Sequence, residues 1–134
     1  MVEENNHAFL MALKKKFLLG VIDVLIIAWL KEKPLSGQEI MARITAEYGI
    51  SLSAGTLYPI LFSLQEKGLI VHLLDEKRKL YQLTSQGKSI GEKLAPRYKL
   101  IERDLKENFN NNHHPYTTAP LPPKNGRQET SEIS

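Results

Sequence analysis

Small hydroxyls and a knot of cations are the residues with most chemistry to offer here. Ser53, Thr56, Tyr58 and Ser63 lie close together, and Lys77-Arg78-Lys79 follows them. Hydroxyls at the start of a helix sit beside free backbone N–H groups and the positive end of the helix dipole, which together favour a phosphate. Tyr58 can donate to a phosphate oxygen. Three adjacent cations suit the same polyanion, along its backbone or in its minor groove. Catalysis finds no comparable support. The sequence has no Gly-rich phosphate loop, paired His-Glu metal motif or nucleophile elbow. Ser, His and Asp occur, but not in an arrangement that would activate a nucleophile. No catalytic residue, cofactor or metal site is therefore expected. Cysteine is absent, which excludes a disulfide scaffold, Cys-ligated metal and a thiol nucleophile. His113-His114 is too small a set to hold a metal from a flexible segment. Asp23 interrupts an apolar run; it is a functional carboxylate or, more simply, faces solvent or caps a neighbour.

The chain that must position these groups has 134 residues, 42% hydrophobic and 25% charged, enough for one domain with a real core. Its formal charge is +3, from 18 Lys and Arg against 15 Asp and Glu. That balance permits a nucleic-acid partner without demanding one. Lys14-Lys15-Lys16 before the apolar run Phe17 to Leu30 resembles a signal peptide. The run starts late, contains Asp23 and lacks a small-residue cleavage site. As a helix it spans only ~21 Å, short of a bilayer core. A buried helix in a cytoplasmic protein, with no membrane partner, is the expectation.

Residues 1–109 read as three helices, a hairpin and a last helix. The first runs from about Asn6 to Leu30, with Lys16 or Gly20 as places for a break, and Pro34 ends it. Ser36-Gly37-Gln38-Glu39 is a capping box for the second, which Gly49 closes at a C′ position. The third starts at Ser53 or Gly55. It carries Leu57, Ile60, Leu61 and Leu64 at i, i+3, i+4, i+7. Pro59 argues for a true start near Gly55–Thr56, because a proline is cheap only near the orphan N–H groups of a first turn. The period then changes. Leu69 to Leu74 and Lys79 to Leu83 read as strands of a hairpin whose tip is Asp75-Glu76-Lys77-Arg78. Thr84 or Ser85 caps the last helix. Its apolar residues Ile90, Leu94, Tyr98, Ile101, Leu105 and Phe109 follow spacings of 4, 4, 3, 4 and 4, close to a heptad seam, with a kink due at Pro96. From Asn110 to Ser134 the chain is rich in Asn and Pro without apolar period, the composition of a disordered tail.

Two helices in tandem followed by a hairpin with a basic tip are the pieces of a winged helix–turn–helix. The expected fold class is mainly α with a small β-hairpin wing, plus a C-terminal dimerisation helix. The division is 1–16 an N-terminal helical extension, 17–84 the winged module, 85–109 the dimerisation helix and 110–134 the tail. A helix beyond an already sufficient core needs another surface to cover, and a two-fold copy is the default. Phe9 and Leu13 with Leu94, Tyr98, Ile101 and Leu105 are the expected dimer contacts. Ser36 and Gln38, at the start of the second helix, join Ser53, Thr56, Tyr58, Ser63, Lys77, Arg78 and Lys79 as the expected DNA-facing set. The other function class that remains is a winged helix used for protein–protein contact, for which Phe62 is a candidate anchor.

Three strings carry a resemblance. Gly55-Thr56-Leu57-Tyr58-Pro59-Ile60-Leu61, Leu64-Gln65-Glu66-Lys67-Gly68-Leu69-Ile70 and Tyr81-Gln82-Leu83-Thr84-Ser85-Gln86-Gly87 resemble the recognition helix and wing of PadR-family transcription regulators. Leu18-Leu19-Gly20, Leu25, Leu30 and Leu35 to Ile40 are similar to that family's first two helices. The resemblance covers about residues 17–95. It implies a homodimer on a pseudo-palindromic operator in double-stranded DNA, usually as a repressor, joined through the last and first helices. It also implies DNA contacts from Thr56, Tyr58 and Lys77 to Lys79, and some members take small hydrophobic effectors at the dimer interface. No aromatic pair marks such a pocket in the last helix, and Trp29 reads as core. Two positions depart from the pattern. Phe62 and Ser63 stand where basic residues are common, and the wing lacks a Gly-Arg-Pro type tip. Each missing phosphate contact removes ~0.9 from the log–log salt slope, which shifts the load onto the wing and Lys14 to Lys16. Phe62 would then pack inside or against a partner.

Overall fold

The computed structural model describes residues 2–109, with side chains from residue 6 onward. The tail and His113-His114 lie outside the described residues. Helix α1 (Val2–Glu32) comes first, then β1 (Leu35–Ser36), α2 (Gly37–Tyr48), α3 (Ala54–Glu66), β2 (Ile70–Asp75), β3 (Arg78–Leu83) and α4 (Ser85–Arg103). A π-helical turn, Asp104–Asn108, continues α4. Among the described residues no helix is long and apolar enough to cross a membrane.

α1 is unbroken at Lys16 and Gly20. Gly20 is exposed with open space around it, and one interior glycine costs a helix only ~1 kcal/mol against alanine. Burial of Leu18, Ile22, Leu25, Ile26 and Trp29 offsets that easily. Asp23 faces solvent. Lys14, by contrast, is buried along α1, and desolvation lowers its pKa.

The capping box forms as spaced. Ser36 Oγ accepts from the Glu39 N–H at 3.1 Å, and Glu39 accepts from the Ser36 N–H at 2.8 Å. Gly49 closes α2 in the left-handed region, φ 71, where glycine alone pays no steric penalty. α3 begins at Ala54, one residue before the start near Gly55–Thr56 that Pro59 suggests. The carbonyl that Pro59 leaves without a partner belongs to Gly55, which is exposed, so water can satisfy it.

The sheet is antiparallel with order β1-β3-β2. β1 lacks any sequence period because it is only two residues long, pairing Leu35 with Tyr81 and Ser36 with Leu80. In the hairpin, Asp75 pairs with Arg78, so the tip is the two residues Glu76 and Lys77 rather than four. Arg78 and Lys79 belong to β3.

Thr84 caps α4, accepting from the Gly87 N–H at 3.0 Å. The helix stays α-helical through Pro96 and changes pitch only at Asp104. Its apolar seam is spent largely within the chain. Leu105 is completely buried, and Ile90, Leu94, Tyr98 and Ile101 pack against the same core. Phe109 meets Phe17 with ring centroids 5.7 Å apart. Leu105 is therefore corrected from a dimer contact to a core residue of its own chain. Intramolecular and intermolecular seams share one period, and α1 lies where the partner was expected.

Candidate nucleic-acid interface

The buried residues of α3 fix what it shows to solvent. Leu57, Leu61 and Leu64 face inward. The 3.6-residue period then turns Gly55, Pro59, Phe62 and Glu66 outward, and all four are exposed. No Lys or Arg occurs in α3. Phe62 is 61% exposed and does not pack inside.

The hydroxyls sit on the flanks of this stripe and at its start. Ser53 is the N-cap, with Oγ 3.2 Å from both the N–H and the hydroxyl of Thr56. Thr56 and Ser63 are half-buried. Tyr58 is partly exposed, and its ring covers Gly37, the first residue of α2. A β-carbon there would collide with the phenol. Tyr58 also neighbours Tyr81 of β3, whose phenol is raised in pKa chiefly by burial and secondarily by Tyr58.

The N-terminus of α2 is thus a meeting point. Tyr58 reaches it from α3. Arg78 reaches it from the wing, with Nη1 3.5 Å from Glu39 Oε2, and also lies 3.8 Å from Asp75. Glu39 is held below the ordinary carboxylate range, first by the Ser36 N–H and then by Arg78 and Lys33, against a raising contribution from desolvation. Ser36 is buried with its oxygen engaged as the cap, while Gln38 is exposed beside it. Lys77 and Lys79 are exposed along the wing.

The expected DNA-facing residues fall into two groups. Gln38, Ser53, Thr56, Tyr58, Ser63, Lys77 and Lys79 remain at or near the surface, whereas Ser36 caps α2 and Arg78 is shared with carboxylates. Of the cations held in reserve, Lys15 and Lys16 are exposed and Lys14 is not. The stripe Gly55, Pro59, Phe62 and Glu66 follows from the spacing of the buried leucines, whereas residue chemistry alone points to the hydroxyls on its flanks.

A separate cleft of about 320 Å³ opens between α1 and α4, lined among others by Val24, Ile27, Lys31, Gly91, Leu94 and Tyr98. Beside it, Trp29 donates to the Tyr98 hydroxyl at 3.3 Å and stacks on Tyr48 at 6.4 Å. Arg43 covers the Trp29 ring at 4.5 Å. Among the described residues no group of His, Asp or Glu could hold a metal ion.

Residues 26–93 match the model of the transcriptional regulator PadR-like family. The fold is similar to a PadR family transcription regulator from Clostridium difficile, at 31% identity and a TM-score of 0.52, covering 62% of this chain and 92% of that one. It is also similar to a PadR-like transcriptional regulator from Bacillus cereus, at 24% identity and a TM-score of 0.58, covering 64% and 88%. A PadR-like transcription factor from Bacteroides fragilis matches at 25% identity and a TM-score of 0.53, covering 69% and 93%. No curated protein matches the chain in sequence. With the tandem helices, the three-stranded sheet and the family model agreeing, the chain belongs to the PadR-like family, whose members are transcriptional regulators and not enzymes.

Proposed function

We propose that the chain binds double-stranded DNA as a homodimer, with α3 entering the major groove and the β2–β3 hairpin lying along the flanking backbone or minor groove. The observation that carries this reading is the outward presentation of the start of α3. Ser53, Gly55 and Tyr58 are exposed there, beside the first N–H groups of two helices. Those N–H groups and the Tyr58 phenol suit phosphates, and Lys77 and Lys79 add cations. A dimer seated on a pseudo-palindromic operator acts most simply as a repressor, by occupying the site.

The second copy is assigned to the face of α1 that the core leaves bare. Phe9 is 63% exposed, and Leu10 and Leu13 are exposed with it, as is Leu100 on α4. Of the expected dimer contacts, Phe9 and Leu13 keep that role most directly. Leu94, Tyr98 and Ile101 offer a partner only their outer edges. The cleft between α1 and α4 suits a small hydrophobic effector.

Fluorescence anisotropy on DNA from the protein's own upstream region tests the reading across a salt series. Binding should fall with salt, with half-sites about one helical turn apart. Tyr58→Phe combined with Lys77→Ala, Arg78→Ala and Lys79→Ala should weaken it severely. The bare aromatic Phe62 favours a second reading, a winged helix that docks on protein. Complete lack of DNA binding at low salt would favour that one.

A further inference from the structure

We propose that Phe62 reads the 5-methyl group of a thymine, so that each operator half-site carries a T·A pair where the second half of α3 meets the groove floor. The inference rests on the reading of α3 as the helix that enters DNA, and it names what that helix recognises.

Phe62 occupies the stripe directly opposite the buried leucines, between Pro59 and Glu66. Those neighbours restrict what the stripe can recognise. Gly55 has no side chain, and even a β-carbon there would meet only Ser53 Oγ at 3.8 Å, so the backbone can approach the duplex closely. Pro59 has no N–H to offer. Glu66 repels phosphates, which keeps the far end of the helix away from the backbone. The stripe therefore holds no cation for phosphate or guanine and no amide for adenine. Its one large side chain is an exposed aromatic ring.

The major groove displays donors and acceptors on every base, and one apolar group, the C5 methyl of thymine. A phenyl ring has no donor or acceptor. Placed against guanine, adenine or cytosine, it would desolvate polar edges without replacing their hydrogen bonds. Against thymine it covers the methyl. The half-buried Thr56 and Ser63 lie along one edge of the stripe, where their hydroxyls can face the backbone. Recognition by this helix thus depends on apolar contact in its second half and hydrogen bonds along that edge.

Deoxyuridine removes the methyl group alone, so it isolates the contact. The full chain is first used to select its half-site from a randomised duplex library. Each thymine of that site is then replaced by deoxyuridine and the Kd is measured. One position per half-site should weaken binding about fourfold, and both together about fifteenfold, the worth of one buried methyl per site. Phe62→Ala, whose exposed site should leave the melting temperature unchanged, should bind thymine and deoxyuridine duplexes equally. Phe62→Arg should move the selected base at that position from thymine to guanine. Equal binding of all deoxyuridine duplexes by the parent chain would overturn the inference, as would an undiminished penalty in Phe62→Ala, with DNA binding itself intact. Failure to select any DNA would instead overturn the underlying reading together with it.

Discussion

The phenol of Tyr58 in α3 lies against the first residue of α2, Gly37, with no room for a side chain between them. A β-carbon on Gly37 would stand 2.6 Å from Tyr58 Cζ. Gly37→Ala must therefore displace the ring. A stability loss of about 1–3 kcal/mol is expected, with a larger loss of DNA affinity, because Tyr58 and the α2 N-terminus move apart together. Urea unfolding in a double-mutant cycle checks the cause. In a Tyr58→Ala background, Gly37→Ala should cost almost nothing.

Gly87 and Gly91 lie one turn apart on α4 and are small for different reasons. At Gly87 a β-carbon would overlap the backbone carbonyl of Leu69, which cannot swing aside. At Gly91 it would meet Lys31 Cδ at 3.1 Å and Ile27 Cγ2 at 3.2 Å, both side-chain atoms. Gly87→Ala should cost about 3 kcal/mol or more and Gly91→Ala about 1 kcal/mol or less, read by chemical denaturation. Gly91→Ala should also shrink the cleft between α1 and α4.

Local chemistry explains which parts of this arrangement were legible in the sequence. Ser36-x-x-Glu39, Gly49 and the Thr84 cap are each decided within a few residues, and each forms as its spacing dictates. The contact of Tyr58 with Gly37 joins residues on two helices and leaves no periodic trace. Arg78 reads as a free cation because its partner Glu39 is distant in sequence. The seam through Leu94, Tyr98, Ile101 and Leu105 was visible as a seam, but its period does not say whether α1 or a second copy covers it. The exposed Phe62 was visible as a departure, and only the inward leucines give it a direction.

Glu39 connects the wing to α2, and its carboxyl is depressed below its ordinary value of 4.5. A group depressed in the folded state stabilises that state above the unfolded pKa, and the contribution is lost as pH falls through the folded value. Thermal melts of the parent chain should therefore lose stability on acidification below about pH 4.5. Glu39→Gln should lose less over that range. At neutral pH the same substitution removes an anion and leaves Arg78 with Asp75 as its one carboxylate neighbour among the described residues, which should steepen the log–log salt slope of DNA binding by up to about 0.9.

Leu105 and Phe9 separate folding from assembly. Leu105 is completely buried in its own chain and Phe9 is 63% exposed. Leu105→Ala should cost about 2–5 kcal/mol of stability. Phe9→Ser with Leu13→Ser should leave secondary structure intact and shift sedimentation from dimer to monomer. A monomeric but folded double variant should also lose operator affinity, because each half-site is then bound singly.

The wing turns through Glu76, whose φ of 58 is left-handed. A side chain in that region costs about 1–2 kcal/mol, part of which glycine returns as unfolded-state entropy. Glu76→Gly should raise stability by about 0.5–1 kcal/mol. It also deletes a carboxylate beside Lys77, which should strengthen DNA binding at low salt. Glu76→Ala separates the two effects: it removes the charge but keeps the β-carbon in the left-handed region. Its affinity should rise like that of the glycine variant while its melting temperature stays near the parent's. If the alanine variant gained as much stability as the glycine variant, repulsion at the tip, not backbone strain, would be what the wild-type turn pays.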